Sequence, residues 1–197
     1  MSAVVSSPAG QTIVPAGLAV PWASRGPGTI SRLVHGAYHL PGHPVEDWMA
    51  DLAEACARVP GAIIGLGSAA YFELLVDVPP AVPCLIVDET EAAPLSGWTS
   101  CRIVRGESGA ALHAGVIHDI VCGVPLRRTS AARTLVDFVR CRRTMADEVV
   151  VTEAARRFLG MDGDPEEAID IARQLGAPAP TIGRLRDLAC LLGRADA

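Results

Sequence analysis

Six prolines (Pro8, Pro15, Pro21, Pro27, Pro41 and Pro44) and six glycines fall within the first 44 of 197 residues. Proline removes a backbone donor and crowds the preceding helical turn, while glycine raises the entropy cost of a helix, so no long helix fits there. From Pro44 onward apolar residues recur at regular spacing and the breakers retreat to boundaries. The chain therefore divides into a short N-terminal part, 1–44, and a part of domain size, 45–197.

In the N-terminal part the pattern predicts a short helix opened by Thr29 and holding Ile30, Leu33 and Val34, then an extended stretch over 35–40. Pro44 next opens an amphipathic helix, with Val45, Trp48, Met49, Leu52 and Cys56 on one side and Glu46, Asp47, Asp51 and Glu54 on the other. Short apolar or alternating runs predict strands over 62–64, 84–87, 101–105, 116–121 and 124–127, with Gly123 turning between the last two. A helix is expected over 68–75. Ser130 caps another that carries Leu135, Val136, Phe138 and Val139, and helices over 145–159, 164–175 and 181–192 follow. The sum is an α+β fold: a mixed sheet with flanking helices and a helical C-terminal third.

Half of the residues are hydrophobic and 20% are charged, enough apolar surface for a packed core. Aromatics make up only 4%, which removes the stacking platforms of single-strand and RNA binders. All 17 basic side chains are Arg. Phosphate-loop, Schiff-base and protein-kinase lysines are thereby excluded. The net charge of −5 is unevenly spread: 46–101 holds one Arg against nine acids, and 102–143 eight Arg against three. The six cysteines form no Cys-x-x-Cys pair, so buried free thiols in a reducing cytoplasm are expected. The N-terminus has no charged, apolar leader and no run of 18 apolar residues follows, so a cytoplasmic chain without membrane contact is expected.

Gly65-Leu66-Gly67-Ser68-Ala69-Ala70 fits the G-x-G-x-x-A dinucleotide fingerprint, with Asp88 closing the next strand. Its helix is too short for a parallel crossover, so a tight strand-to-helix turn with Ser68 as a capping hydroxyl is the favoured reading and a nucleotide-binding enzyme the alternative. His35, His39 and His43 share a ligand-like spacing, but Gly36, Pro41 and Gly42 forbid the helix that would align them, so no metal site is expected. Arg133 and Asp137 stand one helical turn apart and can pair. Arg127, Arg128, Arg140, Arg142 and Arg143 around them are candidates for an anion-binding face.

Read in order, the chain resembles the AbiEi family of antitoxins from type IV toxin–antitoxin and phage-defence systems. The resemblance runs through His35-Gly36-Ala37-Tyr38, Val59-Pro60-Gly61 to Leu66, Ser68-Ala69, Arg102-Ile103-Val104-Arg105 and Gly115-Val116. Its most specific segment extends from Gly123-Val124-Pro125-Leu126 to Thr129-Ser130-Ala131-Ala132-Arg133-Thr134-Leu135-Val136-Asp137. The resemblance implies a winged helix-turn-helix that binds its own promoter, followed by an antitoxin domain opposing a nucleotidyltransferase toxin, with no catalytic residues and no cofactor. Ser68, Arg133, Thr134 and Asp137 are the antitoxin-domain motif. Residues 1–44 are shorter than a complete winged helix and are expected to be a truncated remnant. Its DNA contacts would come from Arg25, Thr29, Ser31 and Arg32 on or before the remnant recognition helix, and from His35 and Tyr38 on the wing. Two arginines supply fewer phosphate contacts than a strong binder needs, so weak, salt-sensitive DNA binding is expected. An inactive, decayed relative is a further alternative.

Overall fold

A computed structural model describes residues 13–15, 31–34, 37–39, 48, 51–52, 55–56, 59, 61–90, 101–121, 124–141 and 148–192. Two sheets are present among them. The first joins β1 (Ile13–Pro15), β2 (Ser31–Val34) and β3 (Ala37–His39), all antiparallel, in the order β1-β3-β2. Ser31 faces His39 and Arg32 faces Tyr38 in register, with an irregularity before the Val34–Ala37 pair. The helix expected from Thr29 to Val34 is thus replaced by a strand from Ser31 onward. Leu33 and Val34 fit a helical period, but a segment beside a complementary strand pairs with it instead, and non-local hydrogen bonding decides.

The second sheet belongs to the larger part. Its strands are β4 (Ile63–Ile64), β5 (Cys84–Val87), β6 (Arg102–Arg105), β7 (Val116–Val121) and β8 (Val124–Thr129), in the order β6-β5-β4-β8-β7. β5 runs parallel to β6 and β4 parallel to β8, while β4–β5 and β7–β8 are antiparallel, so the sheet is mixed. β5 is buried at all four positions, as expected of the uninterrupted run Cys84-Leu85-Ile86-Val87 at the interior of a sheet.

Helix α1 (Leu66–Phe72) follows β4, α2 (Gly109–Leu112) follows β6, and α3 (Ala131–Cys141) follows β8. The helical C-terminal part comprises α4 (Glu148–Gly160), α5 (Pro165–Gln174) and α6 (Ala179–Leu192). The architecture is α+β. α5 starts where its chemistry dictates: the Asp164 side chain accepts the Glu166 N–H at 2.9 Å, and Pro165 occupies the first helical position, where no donor is needed. The described residues of the stretch expected to be helical after Pro44, Trp48, Asp51, Leu52, Ala55 and Cys56, are helical. α1 begins two residues before the expected start, and α2, a single turn, was not foreseen.

α3 is the hub. Every residue from Ala132 to Val139 is buried, and Leu135, Val136, Phe138 and Val139 join Val151, Phe158, Ile169, Ile171, Leu185 and Leu188 in the main core. A smaller core lies beside it, where Leu52, Ala55 and Val59 pack on Ile64, Leu85 and Val87. No described helix is long and apolar enough to cross a membrane.

Candidate functional site

Among the described residues, the joint between β8 and α3 carries the densest polar chemistry. β8 ends at Thr129, whose hydroxyl lies 2.7 Å from that of Thr134, both buried. Ser130 caps the helix, its Oγ accepting the Arg133 N–H at 3.2 Å. One turn on, Arg133 is 1% exposed. Its Nε donates to both oxygens of Asp137, at 3.1 and 3.0 Å, and its Nη1 donates to Ala114 O at 2.6 Å. A buried guanidinium is tolerated because each of these donors meets a fixed acceptor.

Gly115 makes that placement possible. At φ +63° it adopts a left-handed turn, and a Cβ there would stand 2.7 Å from Arg133 Cβ. The second acid comes from the loop after β6: Glu107 Oε2 lies 3.6 Å from Arg133 Nη2, and its other oxygen pairs with Arg140. Arg140 also reaches within 4.0 Å of Asp137. Arg133, Asp137, Arg140 and Glu107 thus close a ring of alternating charge that ties the end of β6 and the turn after α2 to α3.

The ring forms the polar wall of a cleft of about 180 Å³ whose apolar wall is Leu66, Ile86 and Val104. Burial pushes the Asp137 carboxyl up to about 6, against the pull of Arg133. For Glu107 burial acts in the same sense, but the hydrogen bond and charge of Arg140 outweigh it and hold the carboxyl below its ordinary value. Cys141, also in the cleft, is raised by burial and then by the Asp137 charge, which keeps its thiol protonated. Each carboxylate already has a cationic partner and the thiol is a poor nucleophile. The arrangement is built to hold three elements together.

Ser68 belongs to the same logic at another joint. It sits in the first turn of α1, where Gly65, and not Ser68, is the capping position, and its buried Oγ accepts the Cys84 N–H at 2.9 Å. All four motif residues, Ser68, Arg133, Thr134 and Asp137, are therefore buried polar fasteners. The dinucleotide reading loses its frame here. β4 and β5, on either side of α1, are antiparallel, whereas the fingerprint requires a parallel strand–helix–strand unit. Gly65 is small because of Ile86, which a Cβ would meet at 2.4 Å, and Gly67 lies against Pro80. Asp88 turns inward on its own loop, accepting from Thr90 N and Oγ1.

The arginines proposed as one anion-binding face do not gather into one among the described residues. Arg127 and Arg128 are consecutive on β8, and consecutive strand residues point to opposite faces. Arg128 pairs with Glu73 and lies over the Phe72 ring at 5.8 Å, while Arg140 is held in the charge ring. Arg142 and Arg143 lie outside the described residues. So do Arg25, Thr29 and His35, whereas Ser31 and Arg32 belong to β2 and Tyr38 to β3, which puts Ser31 and Arg32 on a hairpin strand and not on a recognition helix. No group of three His, Cys, Asp or Glu side chains among the described residues is placed to hold a metal. Sequence reasoning paired Arg133 with Asp137 but missed Glu107, which no motif marks and which only the path of the chain after Gly106 brings to α3.

No family model matches the chain. A search of curated proteins gives no match either. Among solved structures, the fold is similar to that of the RV2827C protein from Mycobacterium tuberculosis, with a TM-score of 0.58 and 14% sequence identity over 90% of this chain and 72% of that one.

Proposed function

We propose that the chain is an antitoxin and transcriptional autoregulator of the AbiEi type, countering a nucleotidyltransferase toxin and acting without catalysis. The observation that carries this reading is the N-terminal sheet. Three antiparallel strands in the order β1-β3-β2, with an outer hairpin formed by β2 and β3, follow the strand order of a winged helix, in which the hairpin is the wing. Arg32 and Tyr38 face one another on that hairpin, which makes it the candidate DNA-contacting element.

A second line of support comes from the residues that carry the resemblance. Gly115, Thr129, Ser130, Arg133, Thr134 and Asp137 form one connected structural joint, so a chain that shares them shares the reason for this fold. The experiment is a pair of assays on the full chain: binding to DNA from its own promoter, and growth rescue on co-expression with a nucleotidyltransferase toxin of the type IV class. Operator binding weakened in Arg32→Ala and rescue by the unaltered chain support the reading. A folded chain that neither binds nor rescues is a decayed relative, and the proposal then fails.

A further inference from the structure

Arg128, Arg133, Arg140, Arg157 and Arg184 are buried or half-buried, and each is met by a carboxylate: Glu73, Asp137, Glu107, Asp77 and Glu148 in turn. Arg127 is half-buried as well, yet no acid among the described residues reaches it. Taking a guanidinium partly out of water without a counter-charge costs free energy that nothing in the described fold offsets. Such a local violation is explained when an anion from outside the chain completes the pair.

The register of β7 on β8 supplies a second donor. His118 stands directly opposite Arg127, so both side chains rise from one face of the sheet, with roughly 5 Å between their Cβ atoms. His118 is exposed, and no side chain among the described residues pairs with it. It offers a ring N–H in either protonation state, and a second positive charge once protonated. The turn before β4 backs the arginine. Gly61 there has φ +87°, and a Cβ on it would stand 3.3 Å from Arg127 Nη2, so glycine leaves the room in which the guanidinium lies.

The donors select the anion. A guanidinium fork takes two oxygens in its plane, and the imidazole N–H opposite calls for a third. A phosphate monoester brings three terminal oxygens and up to two charges, whereas a carboxylate has one oxygen and one charge fewer. The charge also ends with this pair on the side towards α3. Val116 and Thr129, the next pair on the same face, are uncharged, while Arg128 points to the opposite face and is held by Glu73. On a chain of net charge −5, one small phosphate is favoured over a polyanion, which would need a track of cations.

We propose that Arg127 and His118 form a seat for the phosphate group of a small phosphate monoester. The proposal does not depend on the antitoxin reading. The test follows the His118 ring signal of the full chain by NMR, assigned by its loss in His118→Gln, during titration with inorganic phosphate, methyl phosphate and acetate at constant pH and ionic strength. Both phosphates shift the signal to saturation, and acetate binds at least about tenfold more weakly. Arg127→Gln weakens phosphate binding by about tenfold or more, the loss of one charge-assisted contact, while Arg105→Gln, on the far edge strand β6, leaves it unchanged. His118→Gln, read on the Arg127 Nε–H signal, weakens it too. No saturable shift, an equal response to acetate, or unchanged phosphate binding in a folded Arg127→Gln chain overturns the proposal. So does binding of duplex DNA of unrelated sequence that Arg127→Gln abolishes, because the seat then belongs to a nucleic-acid backbone.

Discussion

Arg133 shows how one side chain fixes what its neighbours are allowed to be. Its Nε holds Asp137 and its Nη1 satisfies the Ala114 carbonyl, so replacing it leaves a buried acceptor without its donor and a buried carboxyl with only Arg140, 4.0 Å away, for a cation. Breaking such a pair from one side typically costs about 3–5 kcal/mol. The loss should depend on pH in a definite direction. Asp137 has its folded carboxyl raised to about 6 by burial, so its contribution to stability is present in full below the unfolded value and is lost as pH rises through that point. Arg133 matters most once Asp137 is ionised. Denaturant melts of Arg133→Met should therefore show a larger deficit at pH 8 than at pH 5; an equal deficit would mean that the packing of the side chain, and not its charge, dominates. Gly115→Ala tests the same joint from the other side. The added methyl meets Arg133 Cβ at 2.7 Å in a left-handed backbone, and a loss of about 2–4 kcal/mol is expected from strain and overpacking together.

Between elements, single polar side chains do what area alone cannot. Ser68 joins α1 to β5 through the Cys84 N–H, and Ser68→Ala leaves that donor buried and unpaired, at a cost of about 1–3 kcal/mol measurable by thermal or urea unfolding. No loss would mean that water or a backbone shift supplies the missing acceptor. The elements legible in the sequence were those whose chemistry is local. The apolar run of β5, the Gly123 turn between β7 and β8, the Ser130 cap and the Asp164-Pro165 start each carry their own instruction within a few residues. β2 was misread as helix because its partner strand decides its conformation. The Arg133–Asp137 pair was visible from its spacing, yet its burial was not, since Glu107 and Ala114 converge on it from distant positions in the chain.

At the scale of the whole molecule the two parts differ in their charge. In the larger part Arg128, Arg133, Arg140 and Arg157 each have a carboxylate partner within the fold. The N-terminal 45 residues hold only Arg25 and Arg32 and no acid, so any DNA contact through the β2–β3 hairpin rests on very few phosphate neutralisations. Each neutralised phosphate on duplex DNA contributes about −0.9 to the slope of log affinity against log salt, and two give a slope of about −2. Promoter binding measured by anisotropy from low to moderate salt should follow that shallow line. Arg32→Ala should reduce the slope by about one. A slope several-fold steeper would show that arginines of the larger part also reach the DNA, which would move the DNA surface away from the hairpin and onto the five-stranded sheet.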